Sequence, residues 1–279
     1  MRRYKVKIIF LLALLLSVFL NIHSVFAINF QINKAKVSIK LPPGWSDGGT
    51  VRVTNRDASP VHIRAYVQDW IYDTKDGSKI FSSPNTTFRS CADWIKFYPA
   101  EFTIPAKSSQ EVSFVVGIPP NAVGGYYAVL FFEAGGGEIM DKAKGVMAKV
   151  YHRIASLFFV EAEGTISRKA QISNFKISSL ADSYGLKITV ENKGNVALAS
   201  KGGYDIINDE GFVFTRGDFG TIYLMPNDVT EVSANIPKNE LGIGSYDLVL
   251  TFDLEGDVLV KEYDLEIKPS RETIIKEIN

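Results

Sequence analysis

The chain has 279 residues, of which 46% are hydrophobic and 22% are charged. This composition is typical of folded globular proteins, and the length is enough for two domains of about 100–150 residues each. Four of the 31 basic residues lie within the first seven positions, so the rest of the chain carries a net charge of about −4. A mildly acidic protein lacks the basic surface that nucleic acid requires, and we expect no nucleic-acid partner.

The first 27 residues predict a cleavable signal peptide. A basic start is followed by an apolar run from Ile8 to Leu20 and a polar break, and Ala27 suits signal-peptidase cleavage. This apolar run is shorter than the roughly 20 residues needed to cross a bilayer, which disfavours the alternative of a retained membrane anchor. We therefore expect a bacterial protein exported to the periplasm or the cell surface, with no stable membrane insertion after cleavage.

Cys91 is the single cysteine of the chain, so no internal disulfide can form. An exported protein without a disulfide depends on its hydrophobic cores for stability. We expect Cys91 to be a small loop or core residue and not a reactive thiol.

Beyond Ala27 the pattern predicts an all-β protein. Short segments rich in Val, Ile, Tyr and Phe alternate with polar residues, as in residues 51–55, 62–67, 185–192 and 245–252. Only residues 271–278 suggest a helical period, and there we expect a short frayed end.

The order of these segments repeats within the chain. A strand ending at Asn55 and a turn at Asp76-Gly77 recur as a strand ending at Asn192 and a turn at 209–211, and each copy continues to an Ile-Pro pair and a tyrosine-marked strand. Two immunoglobulin-like β-sandwiches in tandem explain this repeat. The predicted organisation is a signal peptide at 1–27, a first sandwich at 28–163, a second at 164–268 and a tail at 269–279.

Part of the first half resembles a known family. Residues 94–114, the pair Ile118-Pro119 and residues 125–133 resemble the first domain of periplasmic pilus chaperones of the PapD-like type, and of related exported bacterial proteins. The resemblance covers roughly residues 32–160, and the second domain matches in outline. It implies a non-catalytic factor that binds a secreted subunit or envelope protein during the assembly of surface fibres or envelope proteins.

In such chaperones, the last strand of the first domain pairs with the incomplete sheet of a fibre subunit, and the cleft between the domains holds the carboxyl end of that subunit. The corresponding strand here is residues 146–160, after a glycine-rich segment, 134–145, that we predict to be a flexible loop. Period-two alternation directs Val146, Ala148, Val150, His152, Ile154, Ser156 and Phe158 toward the core. The outward set, and the predicted partner-binding residues, are Met147, Lys149, Tyr151 and Arg153.

The charges of Lys149 and Arg153 interrupt the aliphatic row that the resemblance implies. Arg153 is the candidate for the basic residue of the cleft. Three alternatives stay open: an edge strand that its two charges protect from aggregation, an edge that joins two copies in a homodimer, and a surface module that binds cell wall, glycan or another protein.

No pattern of catalytic, metal-binding or cofactor-binding residues is present, so we predict neither an enzyme nor a cofactor. His62 and His152 lie in predicted strands without a second ligand at metal-binding spacing, and we expect both to be half-buried structural residues. Asp76-Gly77 predicts a hairpin turn and not a calcium loop. We expect the abundant aromatic rings, among them Trp45 and Trp70, to fill the space between sheets.

Overall fold

The computed structural model describes residues 29–141 and 145–278, so the predicted signal peptide lies outside the described residues. The strands are β1 (Phe30–Ile32), β2 (Lys36–Leu41), β3 (Ser46–Asn55), β4 (Val61–Tyr72), β5 (Lys79–Ser82), β6 (Ile95–Tyr98), β7 (Glu101–Ile104), β8 (Ser109–Gly117), β9 (Gly124–Asp141), β10 (Val146–Ala162), β11 (Ala170–Ser179), β12 (Ser183–Asn192), β13 (Leu198–Asn208), β14 (Val213–Leu224), β15 (Val229–Pro237), β16 (Gly244–Asp253), β17 (Val258–Ile267) and β18 (Thr273–Glu277). A short 3₁₀ turn, Ala92–Trp94, precedes β6. The all-β prediction is confirmed, and in the described part of the chain no helix is long and apolar enough to span a bilayer.

The first ten strands form two sheets that pack face to face. The first sheet has the order β1-β3-β8-β6, and the second has the order β2-β10-β9-β4-β5 with β7 also paired to β4. Alternate apolar residues of both sheets meet between them, and the rings of Phe114 and Phe158 are in edge contact at 5.0 Å between centroids. This buried layer forms the core of the first sandwich.

The last eight strands form a second sandwich from a three-stranded sheet, β11-β12-β15, and a five-stranded sheet, β14-β13-β16-β17-β18. Its core contains Leu186 and Ile188 of β12 with Leu248, Leu250 and Phe252 of β16. The predicted two tandem sandwiches are thus present, and the chain passes from one to the other between the end of β10 and the start of β11.

The carboxyl end differs from the prediction. Residues 273–277 form β18, which pairs with β17 from Tyr263 to Ile267, so this segment is not a frayed end. Ile275 packs on the core while Ile274 and Lys276 face outward. This two-residue alternation accounts for the strand, because it places one apolar side chain inward and leaves the charged one in water.

A third apolar cluster lies on the opposite face of the second sheet, toward the second sandwich. Its buried members are Trp70, Tyr72, Tyr127, Val129, Phe131 and Met225. Met225 belongs to the second sandwich, so the cluster joins the two domains. The prediction that the tryptophans fill the space between sheets is wrong for Trp70, which lies between domains, and for Trp45, which is 64% exposed. The sequence pattern shows that a ring is surrounded by apolar residues but not which layer receives it.

Asn55 and Asn192 give the internal repeat a structural meaning. Both side chains are fully buried. The amide of Asn55 donates to the carbonyls of Ser59, Ile104 and Pro105, and the amide of Asn192 donates to those of Val196 and Leu224. In each sandwich one asparagine thus closes the end of a strand by satisfying main-chain carbonyls that are shielded from water.

We predict that Asn55→Ala and Asn192→Ala each lower the free energy of unfolding by about 1–3 kcal/mol, because each leaves buried carbonyls without a donor. Urea denaturation of the purified variants measures this change. The exposed Asn235 of β15 is the matched control, and Asn235→Ala should change stability by less than about 0.5 kcal/mol. Equal losses in all three variants would show that the buried amides have no special role.

Candidate partner-binding edge and interdomain cleft

One edge of β10 is only partly covered by another strand. On that side, β2 pairs in parallel with Leu157 to Ala162, while the other side of β10 pairs with β9 along almost its whole length. The coverage begins where the Leu157 N–H donates to the Ala35 carbonyl. Among the described residues, no strand covers this side of β10 from Val146 to Ala155, which we call the free edge.

The faces of β10 follow the predicted alternation. Ser156 and Phe158 are buried and Ile154 packs on the first core, whereas Met147 and Tyr151 are 51% and 58% exposed. Lys149 and Arg153 are exposed as well. The four predicted partner-binding residues therefore share the outward face next to the free edge.

The main chain has the same alternation. Alternate residues of a strand direct their N–H and C=O groups to the same side. Since the N–H of Leu157 points toward β2, the main-chain groups of Ala155, Arg153 and Tyr151 point toward the free edge. Within the described part of the chain no partner is seen for these hydrogen-bonding groups, which lie where an additional strand would pair.

The glycine-rich segment before β10 is not the predicted loop over its whole length. Strand β9 continues through Gly135 to Asp141 and pairs with β10 there. The pairing shifts by one residue between Lys149 and Tyr151, so an extra residue of β9 is accommodated as a β-bulge. Pairing of this kind uses main-chain groups, and glycines can supply those without side chains to pack.

Aromatic rings cover the outward face of the second sheet beside the free edge. The Arg153 guanidinium lies 4.5 Å from the ring centroid of Phe131 and 5.5 Å from that of Phe81. The Tyr66 hydroxyl donates to the Glu133 carboxylate at 2.7 Å. Burial, together with this hydrogen bond to a carboxylate, raises the pKa of Tyr66. An edge strand thus borders a layer that combines apolar rings with paired polar groups.

The free edge leads to a cleft between the two sandwiches with a volume of about 280 Å³. Its walls come from β2, β4, β9 and β10 of the first sandwich and from β13 and flanking loops of the second. The lining residues are Lys36, Ser38, Ile39, Lys40, Tyr72, Tyr127, Phe159, Glu161, Arg168, Ala197, Ala199 and Glu255.

Two cations of the cleft are available to an acidic ligand. Arg168 is already paired with Glu161 at 2.5 Å and lies 3.9 Å from Glu255. Lys36 and Lys40 are exposed, and neither forms an ion pair within the described part of the chain. The Lys36 ammonium lies 4.3 Å from the ring centroid of Phe159, at the point where β2 begins to cover β10.

Arg153, the candidate for the basic residue of the cleft, is not among the residues that line this cavity. It lies further back along β10 and over the ring of Phe131. The role of Lys36 is not visible in the sequence, because Lys36 precedes β10 by more than one hundred positions in the chain. Only the parallel pairing of β2 with β10 places Lys36 opposite Leu157, just beyond the carboxyl-terminal end of the free edge.

Contacts between the sandwiches hold the walls of the cleft in place. The Tyr127 hydroxyl accepts a hydrogen bond from the Ala197 N–H. The predicted hairpin turn at Asp76-Gly77 is confirmed, and it reaches the second sandwich: a Cβ atom on Gly77 would lie only 2.1 Å from the Tyr223 ring. Gly77 also has a φ of +71°, so glycine is required there for two reasons.

The two histidines and the cysteine of the described chain lie outside the free edge and the cleft lining, or serve packing. His62 is exposed beside Thr103, contrary to the predicted half-buried state, because it lies on the outward face of β4. His152 is half-buried in β10, as predicted. Cys91 is buried in the first core, and burial raises the pKa of its thiol. Across residues 29–141 and 145–278, no group of three His, Cys, Asp or Glu side chains could hold a metal ion.

The tyrosines of the interdomain cluster predict a loss of stability in alkali. Burial raises the pKa of Tyr72 to about 12 from a usual value of 10.0. The unfolded chain therefore loses this proton first, and the stabilising contribution of neutral Tyr72 is complete below about pH 10 and declines as the pH rises toward 12.

We expect the free energy of unfolding to fall between about pH 9 and pH 11.5, and to fall less in Tyr72→Phe, which has no proton to lose. Urea denaturation at the two pH values measures the difference. Tyr98 is 79% exposed, so Tyr98→Phe should retain the full decline. The same decline in both variants would contradict a role for buried Tyr72.

Comparisons with known proteins give matches of structure only, since no protein-family model and no curated protein matches the chain. The class 5 fimbriae chaperone CfaA is 17% identical, with a TM-score of 0.45 over 90% of this chain and 99% of that one. A chain from the Salmonella enterica SafA pilin–SafB chaperone complex is 14% identical, with a TM-score of 0.41 over 85% and 96% of the two chains. A chain from the CsuC-CsuE chaperone-tip adhesion subunit complex of Acinetobacter baumannii is 10% identical, with a TM-score of 0.41 over 84% and 97%.

Proposed function

We propose that the protein is an exported, non-catalytic binding factor that takes up an extended segment of a secreted subunit or envelope protein by strand addition. It acts as a chaperone in the assembly of surface fibres or envelope proteins. The observation that carries this proposal is the free edge of β10, where main-chain groups that no other described residue pairs with lie beside the exposed side chains of Met147 and Tyr151. Main-chain hydrogen bonds provide affinity in strand addition, and alternate side chains provide selectivity.

The position of β2 supports a direction for the added strand. Because β2 runs parallel to β10 on the same side, a parallel partner strand would continue the line of β2 and end beside Lys36. Its carboxyl end would then enter the cleft. Lys36 and Lys40 supply positive charge there, whereas Arg168 is engaged by two glutamates. We therefore assign the binding of a terminal carboxylate to Lys36, with Lys40 as the second cation.

The contacts between the sandwiches support a preformed site. The Tyr127–Ala197 hydrogen bond and the close fit of Gly77 against Tyr223 join the two walls of the cleft. A site that is already in place spends less binding free energy on ordering its own residues.

The double variant Met147→Glu/Tyr151→Glu should abolish partner capture without unfolding the protein. Two carboxylates would replace the apolar side chains next to the free edge and would be buried without partners in the complex. The measurement is affinity capture by the tagged protein from the envelope fraction of its own host, followed by mass spectrometry and by the stoichiometry of the purified complex. A one-to-one complex with a secreted subunit is expected for the unchanged protein.

The control for that experiment is Val115→Glu/Tyr98→Glu, on the outward face of the first sheet. Val115 and Tyr98 are 50% and 79% exposed, so the control adds the same charge to a surface of similar exposure away from β10. Circular dichroism of both variants establishes that they are folded. Unchanged capture by the β10 variant would refute strand addition at this edge.

Lys36→Ala should weaken binding of the captured subunit roughly tenfold, because a charge-assisted hydrogen bond to its carboxyl end is lost. Calorimetry with the purified subunit measures this change, and Lys176→Ala, an exposed lysine of β11, serves as the control. A subunit with its carboxyl end amidated should bind both variants and the unchanged protein with similar affinity. If Lys36→Ala binds the unmodified subunit as well as the control does, the cleft does not hold the carboxyl end.

A further inference from the structure

Charged residues of alternating sign form a row across the second sheet. In the strand register, Glu101 of β7 lies opposite Arg64 of β4, Arg64 lies opposite Glu133 of β9, and Glu133 lies opposite Arg153 of β10. All four residues lie on the outward face, and all except the half-buried Glu133 are exposed. We call this row the charge ladder. From β7 through β4 and β9 to β10, the charges are negative, positive, negative and positive.

The charge ladder ends on a cation at the free edge. Arg153 is the last member, and its main-chain groups point to the position of an added strand. Its guanidinium lies over the rings of Phe131 of β9 and Phe81 of β5, on the side of β10 away from the free edge. Rotation of the long side chain about its own bonds brings the guanidinium to the edge, where its donor groups match the two oxygens of a carboxylate.

A second cation lies on the same face, four residues earlier. Lys149 is exposed and lies on the same face of β10 as Met147, Tyr151 and Arg153. The outward row thus reads apolar, cationic, apolar, cationic at two-residue intervals. A neighbouring strand presents its own side chains with the same interval, so each position of the row faces one position of the added strand.

We infer that the segment bound at the free edge carries an acidic side chain opposite Arg153 and a second one opposite Lys149, alternating with apolar side chains opposite Met147 and Tyr151. This inference rests on the proposed strand addition and specifies its partner. Opposite charges on facing residues of neighbouring strands are stabilising, and like charges are destabilising. An acidic segment would add one more strand to the charge ladder and would place a negative charge next to Arg153.

The same charges disfavour a second copy of the chain as the occupant. If two β10 strands paired in antiparallel orientation around Tyr151, Lys149 of one copy would lie opposite Arg153 of the other. Two such contacts would occur in each dimer, and both would place like charges together. The row therefore selects an acidic partner segment over self-pairing.

Three synthetic peptides test this inference with the purified protein. They share the pattern Val-Thr-X-Thr-Val-Thr-X-Thr-Val, in which X is Glu, Gln or Lys, so that X and Val alternate on one face and the two X residues have the spacing of Lys149 and Arg153. Fluorescence anisotropy of labelled peptides measures the dissociation constants. We expect the Glu peptide to bind roughly fivefold more tightly than the Gln peptide and the Lys peptide to bind most weakly. The preference should shrink at high salt, because the row is exposed to solvent.

The double variant Lys149→Gln/Arg153→Gln should lose the preference for Glu while it still binds the Gln peptide. Lys96→Gln, an exposed lysine on the first sheet, should keep the preference. Equal binding of the three peptides to the unchanged protein would overturn the acidic partner and leave strand addition standing. Binding of none of them would overturn strand addition at this edge, and the acidic partner with it.

Discussion

The geometry of the candidate site is determined by how β10 pairs with its two neighbouring strands. β10 has 17 residues, whereas β2, its neighbour on one side, has six. Unpaired N–H and C=O groups are tolerated at a water-facing edge but also form a template for another strand. The exposed charges of Lys149 and Arg153 disfavour aggregation of the empty edge, and the apolar side chains of Met147 and Tyr151 provide contacts for a bound strand. The same surface can therefore be protected when it is empty and bind when a partner is present.

Strand β9 connects this edge to the cleft. It is apolar on both faces: Leu130 and Phe132 pack into the first core, while Tyr127 and Phe131 pack into the cluster between domains. A strand buried on both sides cannot shift its register without exposing one of these sets. Because β9 pairs with β10 along the hairpin, the position of the free edge is tied to the contacts between sandwiches, in particular to the hydroxyl of Tyr127.

Much of this arrangement can be predicted from the sequence, because it depends on local alternation. The faces of β10 and the turn at Gly77 follow from periodicity and turn chemistry, and the corresponding roles of Asn55 and Asn192 explain the repeat that indicates two sandwiches. The position of Trp70 and the cleft position of Lys36 could not be predicted, since both depend on which distant segments meet. The charge ladder also required the strand register, because Glu101, Arg64, Glu133 and Arg153 are widely separated in the chain.

The interdomain cluster has a consequence for biosynthesis. The first sandwich precedes the second in the chain, and its sheet carries Trp70, Tyr127 and Phe131 on the face that the second sandwich approaches through Met225. Until the second half of the nascent chain is synthesised, that apolar face is exposed to solvent, and exposed apolar surfaces promote the aggregation of incomplete chains. The second sandwich thus completes the maturation of the first as well as supplying a wall of the cleft. A truncation after residue 163 would yield an aggregation-prone fragment and not a half-sized binding module.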